Sequence, residues 1–143
     1  MNRILLAMKT PTLSERAVAV IRDLMQAWPK AEWIVLHVIP DIQPDSVYPY
    51  QALLPREVAR ENGLADQIET FVRTTLFQDH VDRMEFCTVI GKPAPSICVV
   101  AEDRQADLIL LDHRRNGKVD RMLLGSVSYG VAHMAQVPVL LMK

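Results

Sequence analysis

The sequence predicts a single α/β domain over residues 1–143, built on a five-stranded, mainly parallel sheet with helices on both faces. Three observations predict this class. Short apolar runs alternate along the chain with segments whose apolar residues recur at helical spacing. Most of these runs are continuously apolar, as in strands buried on both faces of a parallel sheet. The length of 143 residues suits one hydrophobic core, and no internal repeat or low-complexity stretch interrupts the alternation.

The five strands are predicted from apolar runs that turn residues and prolines bound. The third run alternates more between apolar and polar residues, which indicates a less completely buried strand. In the last run, strand pairing is expected to use the residues after Pro138, because proline has no N–H to donate. The predicted strands cover residues 4–8, 33–38, 84–89, 108–111 and 137–142.

Four helical segments separate these strands. The first follows a capping-box pattern in which Thr12 caps the helix and Glu15 reaches back. The second is predicted from about Pro55 to Phe77, and the third begins near Pro93, since proline fits a first helical turn. The fourth precedes the last strand. The segment from Asp41 to Leu54 is rich in proline and tyrosine and is predicted to be a long loop that covers a ligand or contacts a partner.

Composition excludes several function classes. Lys and Arg number 16 and Asp and Glu number 17, so no basic surface for nucleic acid or an anionic membrane is expected. The apolar runs are too short to span a bilayer, and no signal-peptide pattern precedes the first strand, so a cytoplasmic protein is expected. The sequence contains no CxxC motif, and no two histidines have metal-ligand spacing, so no metal is expected. Cys87 and Cys98 are expected to be reduced and buried.

The five glycines match neither common nucleotide motif. No GxGxxG is present, and Gly125 and Gly130 are followed by Val131 and Ala132, where a P-loop needs Lys and Ser or Thr. In parallel sheets, however, ligands bind beyond the carboxyl ends of the strands, where the strand order reverses. This rule nominates the loops that begin at Lys9, Ile39, Ile90 and Asp112.

The chain resembles the universal stress protein family in several segments. These are the first strand followed by Ser14-Glu15-Arg16-Ala17, the second strand ending in Leu36-His37-Val38, Gly91-Lys92-Pro93-Ala94, Leu123-Leu124-Gly125-Ser126 and the strand around Pro138. The resemblance covers essentially the whole chain. It implies a flavodoxin-like sheet, similar to that of the adenine nucleotide alpha hydrolases, and a role in stress resistance. Some members bind ATP and others do not.

The ATP-binding members resemble one another in a pattern of Gly, two residues, Gly, nine residues, then Gly-Ser or Gly-Thr. With Gly125 at the end of this pattern, the two earlier glycines fall on Asp112 and Arg115, and the usual aspartate after the first strand falls on Lys9. The resemblance therefore implies a degenerate site that binds ATP weakly or not at all, with an ATP-binding, slowly hydrolysing member as the alternative. The candidate ligand contacts are Lys9, Thr10, Pro11, Val38, Asp112, Arg115, Gly125, Ser126, Val127 and Ser128.

A simple anion such as phosphate or sulfate is a further candidate ligand. Ser126 and Ser128 fall at the predicted start of the last helix, where free N–H groups attract anions, and Arg114, Arg115 and Lys118 are close in sequence. The alternative is that serine only caps the helix and that the basic side chains stay in water.

Two other functional hypotheses follow from the sequence. Asp112, His113 and Ser126 provide the residue types of a hydrolase, although no GxSxG elbow is present. A homodimer is expected through the last strand, Val137 to Met142, which is apolar almost to its end, as family members that resemble this chain often pair there. The leading hypothesis is a dimeric stress-response binding or signalling module without an efficient reaction of its own.

Overall fold

The structure, a computed structural model, describes residues 1–40, 63–113 and 125–143 and the backbone of residues 55–62. The described residues form a five-stranded parallel sheet with helices between successive strands, which confirms the predicted α/β class. The strands are β1 (Arg3–Ala7), β2 (Glu32–Pro40), β3 (Met84–Gly91), β4 (Leu108–Asp112) and β5 (Val139–Met142). The helices are α1 (Glu15–Ala27), α2 (Pro55–Phe71), α3 (Pro93–Asp103) and α4 (Ser126–Met134), with a π-helical turn at Val72–Leu76 and a 3-10 turn at Val81–Arg83.

The strand order is β3-β2-β1-β4-β5, so the central strand β1 has a neighbour on each side. In register, Leu5 of β1 lies between Ile34 of β2 and Ile109 of β4. The chain extends the sheet in one direction through β2 and β3, then returns past β1 to add β4 and β5. The strand order therefore reverses between β1 and β4, and this is where a ligand is expected in a sheet of this kind.

Side chains of the central strands divide between two apolar layers. Ile4 and Leu6 face the layer formed with α1 and α2, whereas Leu5 and Ile109 face the layer formed with α3 and α4. All four side chains are fully buried. This burial on both faces explains the continuously apolar runs in the sequence, because each alternate residue has its own layer to enter.

The start of α1 differs from the prediction. Thr12 was expected to cap this helix, but the N-cap is Ser14, whose Oγ accepts a hydrogen bond from the Ala17 amide at 3.1 Å. Glu15 is the first helical residue, so it is not placed to close a capping box with Thr12. The helix ends at Ala27, shortly before Pro29, which cannot continue it.

Three further details depart from the sequence prediction. The helix predicted to reach Phe77 changes to a π-helical turn after Phe71, with the Thr74 hydroxyl donating to the Thr70 carbonyl at 2.6 Å. Cys87 and Cys98 are free but only half-buried, and Cys87 lies on the edge strand β3. The last strand begins at Val139 rather than Val137.

In the described part of the chain, no helix has the length and apolar character needed to cross a membrane.

Candidate functional site

A cleft of about 270 Å³ lies at the carboxyl ends of β1, β2 and β4, between the sheet and helices α3 and α4. This position is the reversal of strand order identified above, and we call it the switch-point cleft. Its location agrees with the general rule for ligand sites in parallel sheets. The lining residues are Ala7, Met8, Lys9, Leu36, Val38, Pro40, Pro93, Ile97, Leu111, Asp112, Val127 and Ser128.

Most of the wall of the switch-point cleft is apolar. Leu36 and Val38 contribute from β2, Ile97 from α3 and Val127 from α4, and all belong to or pack against the layer between the sheet and these helices. The volume of about 270 Å³ lies just below the range for ligand pockets, which is roughly 300 to 1,000 Å³. The cleft therefore suits a small flat or apolar group rather than a long extended ligand.

Three polar side chains line the same cleft. Lys9 follows β1 and is exposed, Asp112 ends β4 and is partly buried, and Ser128 lies in the first turn of α4 and is buried. The cleft thus brings a cation, a carboxylate and a hydroxyl around an apolar interior. Such an arrangement can orient a polar substituent of a ligand whose body is apolar.

Ser128 makes the best-defined polar contact at this site. Its Oγ lies 3.3 Å from Nδ1 of His113, the residue that follows β4. The His113 backbone amide donates to the Met142 carbonyl at 2.7 Å, which fixes the end of β4 beside β5. The hydrolase hypothesis named Ser126 beside His113, whereas the serine that contacts His113 in the structure is Ser128. Ser126 is the first residue of α4, is exposed and does not line the cleft.

The N-terminus of α4 differs from the expectation that a serine caps this helix. The N-cap residue is Gly125, and no side chain of the described residues caps this end, so Ser126 does not act as the cap. Ser128 lies two residues after Ser126 in the same first turn and is buried, because this turn of the helix packs over the cleft. Backbone N–H groups at this end keep the partial positive charge of a helix N-terminus.

The predicted contacts divide into three groups. Lys9, Val38, Asp112, Val127 and Ser128 line the cleft. Thr10, Pro11, Gly125 and Ser126 lie outside its lining, and the Thr10 hydroxyl instead donates to the Thr12 carbonyl at 3.2 Å. Arg114, Arg115, Lys118 and the loop from Asp41 to Leu54 lie outside the described residues.

Sequence reasoning missed the contribution of α3. Pro93 and Ile97 line the cleft one turn apart on the same side of this helix. The available signal was the Gly91-Lys92-Pro93 turn at the carboxyl end of the third strand, which sends the next helix back across the sheet. Leu36 and Leu111 were predicted only as strand residues. They lie toward the carboxyl ends of β2 and β4 and form part of the wall of the cleft.

A second groove, of about 500 Å³, lies at the amino ends of the strands, between the end of α1 and the π-helical turn. Met25 and Leu76 form part of its base, and Arg22, His80 and Arg83 border it. Arg83 donates to the Trp28 and Pro29 carbonyls just after α1, so its guanidinium serves the helix end. Within the described residues, no group of three or more His, Cys, Asp or Glu side chains is arranged to hold a metal.

Comparison with solved structures finds this fold in known proteins. UspA from Lactobacillus plantarum is 21% identical, with a TM-score of 0.71 over 99% of this chain and 97% of that one. A universal stress protein solved in complex with cAMP is 19% identical, with a TM-score of 0.69 over 99% and 97% of the two chains. One from Archaeoglobus fulgidus in complex with dAMP is 17% identical, with a TM-score of 0.64 over 100% and 98%.

The strand order defines a flavodoxin-like α/β protein, and the cleft lies at the switch point of its sheet. The sequence model of the Universal stress protein family matches residues 1–143, and the chain belongs to this family. Among curated proteins, none matches the chain.

Proposed function

We propose that the protein is a cytoplasmic, dimeric stress-response binding module whose switch-point cleft holds a nucleoside-type ligand, without an efficient reaction of its own. The observation that carries this proposal is the small apolar cleft at the reversal of strand order. Complexes of two family members with dAMP and cAMP support an adenine compound as the ligand class.

Lys9 and Asp112 support the view that the nucleotide site is degenerate. Both line the cleft, and they stand where the family resemblance expects an aspartate and a glycine. A glycine lets a phosphate approach the backbone closely, whereas the Asp112 side chain occupies that space and adds a negative charge. ATP is therefore expected to bind weakly.

Isothermal titration calorimetry with adenosine and with ATP tests this function. Val127→Phe fills the cleft from α4 and is expected to abolish adenosine binding, while Val99→Phe, at a position on α3 that is 55% exposed, is the matched control and leaves binding unchanged. Equal loss in both variants, or binding that survives Val127→Phe, contradicts the proposed site.

A homodimer through β5 is the second part of the proposal. This strand is at one edge of the sheet and pairs with β4 on its other side. Leu140 is 37% exposed on it, and an apolar edge strand invites pairing unless something covers it. Light scattering at micromolar concentration is expected to give a dimer that Leu140→Lys disrupts and the exposed control Val99→Lys leaves intact. A monomer in all three proteins contradicts the dimer.

The contact between His113 and Ser128 favours a small hydrolase as the competing candidate. A serine within reach of a histidine is the minimal arrangement of an activated nucleophile. We place it second because Ser128 is 6% exposed, which leaves little room for a substrate carbonyl to reach its hydroxyl. A panel of small ester and phosphate substrates, repeated with Ser128→Ala and His113→Ala, distinguishes the two. Turnover that both variants remove establishes the hydrolase.

A further inference from the structure

We propose that the groove between the end of α1 and the π-helical turn is a second binding site, which takes a small monocarboxylate with an aliphatic chain. We call it the amino-end groove, because it lies at the amino ends of the strands. In this site Arg83 holds the carboxylate, and Met25 and Leu76 contact the chain. The site is separate from the switch-point cleft, since the two share no lining residue.

The walls of the amino-end groove come from two helical segments. Arg22, Met25 and Gln26 line it from one face of α1, at positions i, i+3 and i+4 of the helix. The opposite wall is the π-helical turn, which is closed by a hydrogen bond from the Phe77 amide to the Val72 carbonyl at 2.8 Å. Turns of this kind are rare and occur frequently at functional sites. The wall therefore has the local geometry that a binding site often uses.

The π-helical turn separates a core residue from the residues that line the groove. Phe77 is fully buried, and its ring lies 5.4 Å from that of Trp33, centroid to centroid. Thr75 and Leu76, which precede it, line the groove. Leu76 and Met25 are almost fully buried and give the groove an apolar floor. The volume of about 500 Å³ lies within the range for small-molecule sites, which is roughly 300 to 1,000 Å³.

Arg83 is held in place beside this floor. Its Nη1 donates to the Trp28 carbonyl at 3.4 Å and to the Pro29 carbonyl, just after α1. A guanidinium has five N–H donors in a planar fork, and Nη1 supplies two of them. In the part of the chain that the structure describes, no hydrogen bond or ion pair engages Nε or Nη2 of Arg83. These two nitrogens form the edge of the fork that binds a carboxylate through paired hydrogen bonds.

The charges that line the groove favour a single negative charge on the ligand. Arg22 and Arg83 are cations and Asp79 is an anion, which leaves a net charge of +1 while His80 is neutral. Arg83 is partly buried, where an ion pair is stronger, whereas the other three side chains are exposed and screened by water. The groove therefore matches a monoanion better than a phosphate dianion, and its apolar floor matches an aliphatic chain.

Isothermal titration calorimetry of the intact protein with octanoate, octanamide and acetate tests the proposal. Octanamide keeps the chain without the charge, and acetate keeps the charge without the chain. We expect octanoate to bind about tenfold more tightly than either, or better, because only octanoate uses both the fork and the floor. Methyl chemical shifts should change at Met25 and Leu76 and stay unchanged at Val38 and Val127 of the switch-point cleft.

Three substitutions locate the charge that binds octanoate. Arg83→Gln removes the fork and is expected to lower octanoate affinity by about tenfold or more. Arg22→Gln, at an exposed position of the groove, is expected to lower it by about threefold. Arg16→Gln is the matched control and leaves affinity unchanged, since Arg16 is exposed on the same helix and does not line the groove. Circular dichroism checks the folding of Arg83→Gln, because Arg83 also binds the end of α1.

Four results overturn the proposal. Equal affinity for octanoate and octanamide shows that the charge is not recognised, and this comparison needs no variant. An equal loss in Arg22→Gln and Arg16→Gln, or the absence of saturable octanoate binding, contradicts the site. Octanoate shifts at the cleft residues instead of the groove residues place the ligand elsewhere. The proposed function does not depend on these results, because it concerns a different ligand and a different site.

Discussion

Replacing Gly130 with alanine tests how closely α3 and α4 pack beside the cleft. A Cβ added at Gly130 would lie 2.7 Å from the Cβ of Ala94, in the first turn of α3. Ordinary contacts between carbon atoms are about 3.5 to 4.0 Å, so one helix must move by roughly an ångström. Both atoms are fixed to helical backbone, and no side-chain rotation relieves the clash. We expect this overpacking to cost about 1–3 kcal/mol.

Gly63 provides the matched control. It lies inside α2, and a Cβ added there has no atom of the described residues within 4 Å. Each substitution gains about 1 kcal/mol from the higher helix propensity of alanine. Gly63→Ala is therefore expected to stabilise the protein by up to about 1 kcal/mol, while Gly130→Ala is neutral to destabilising by about 2 kcal/mol. The difference between the two variants measures the clash alone.

Urea unfolding followed by the fluorescence of buried Trp33 gives both free energies. Ala94→Gly removes the opposing Cβ, so adding it to Gly130→Ala is expected to cancel the clash, and the double-mutant cycle should show a favourable coupling of about 1 kcal/mol or more. Equal stabilisation by Gly130→Ala and Gly63→Ala would refute the close packing of α3 on α4. Absence of coupling with Ala94→Gly would refute it too.

Three smaller predictions concern single contacts. Ser14→Ala removes the α1 cap and is expected to cost about 1 kcal/mol of unfolding free energy, whereas Ser126→Ala, which removes no cap, costs little. The backbone amides of Arg3 and Asn2 donate to Asp107 and lower its pKa, so Asp107→Asn should destabilise the protein at neutral pH. The difference in unfolding free energy from the unsubstituted protein should disappear as the pH falls through that lowered pKa. A difference that persists in acid contradicts this. Burial, and after it the negative charge of Glu85, raises the pKa of the Cys87 thiol. Glu85→Gln should therefore speed alkylation of Cys87 at mildly alkaline pH, as measured by mass spectrometry. An unchanged rate would count against the effect of the Glu85 charge.

The strands and their order of appearance could be predicted because parallel strands buried on both faces need uninterrupted apolar residues. Ile4 to Leu6 and Leu108 to Leu111 meet this requirement, and the structure buries them. Helix ends were harder. Thr12 and Ser14 both offer a hydroxyl near the start of α1, and only the backbone path shows that Ser14 is the residue whose oxygen reaches the Ala17 amide. The π-helical turn after Phe71 depends on tertiary packing of Val72 and Leu76, which no local pattern specifies.

The site could be predicted in part. The switch-point rule and the family resemblance identified Lys9 and Asp112, since each directly follows or ends a strand. Choosing between Ser126 and Ser128 required the direction of each side chain on α4, because a shift of two residues turns a helix by more than half a revolution. The sequence did not identify Ile97 as a cleft residue, because an apolar residue on an amphipathic helix has the same sequence signature whether it meets the sheet or a cleft.

Methyl chemical shifts recorded during an adenosine titration test the central claim most directly, which is that the switch-point cleft is the ligand site. We expect the largest shifts at Val38, Ile97 and Val127, which line the cleft, and none at Met25 and Leu76 in the groove beside α1. Saturable shifts confined to the first group support the account. Shifts centred on Met25 and Leu76, or no saturable shift at the three cleft residues, would contradict it.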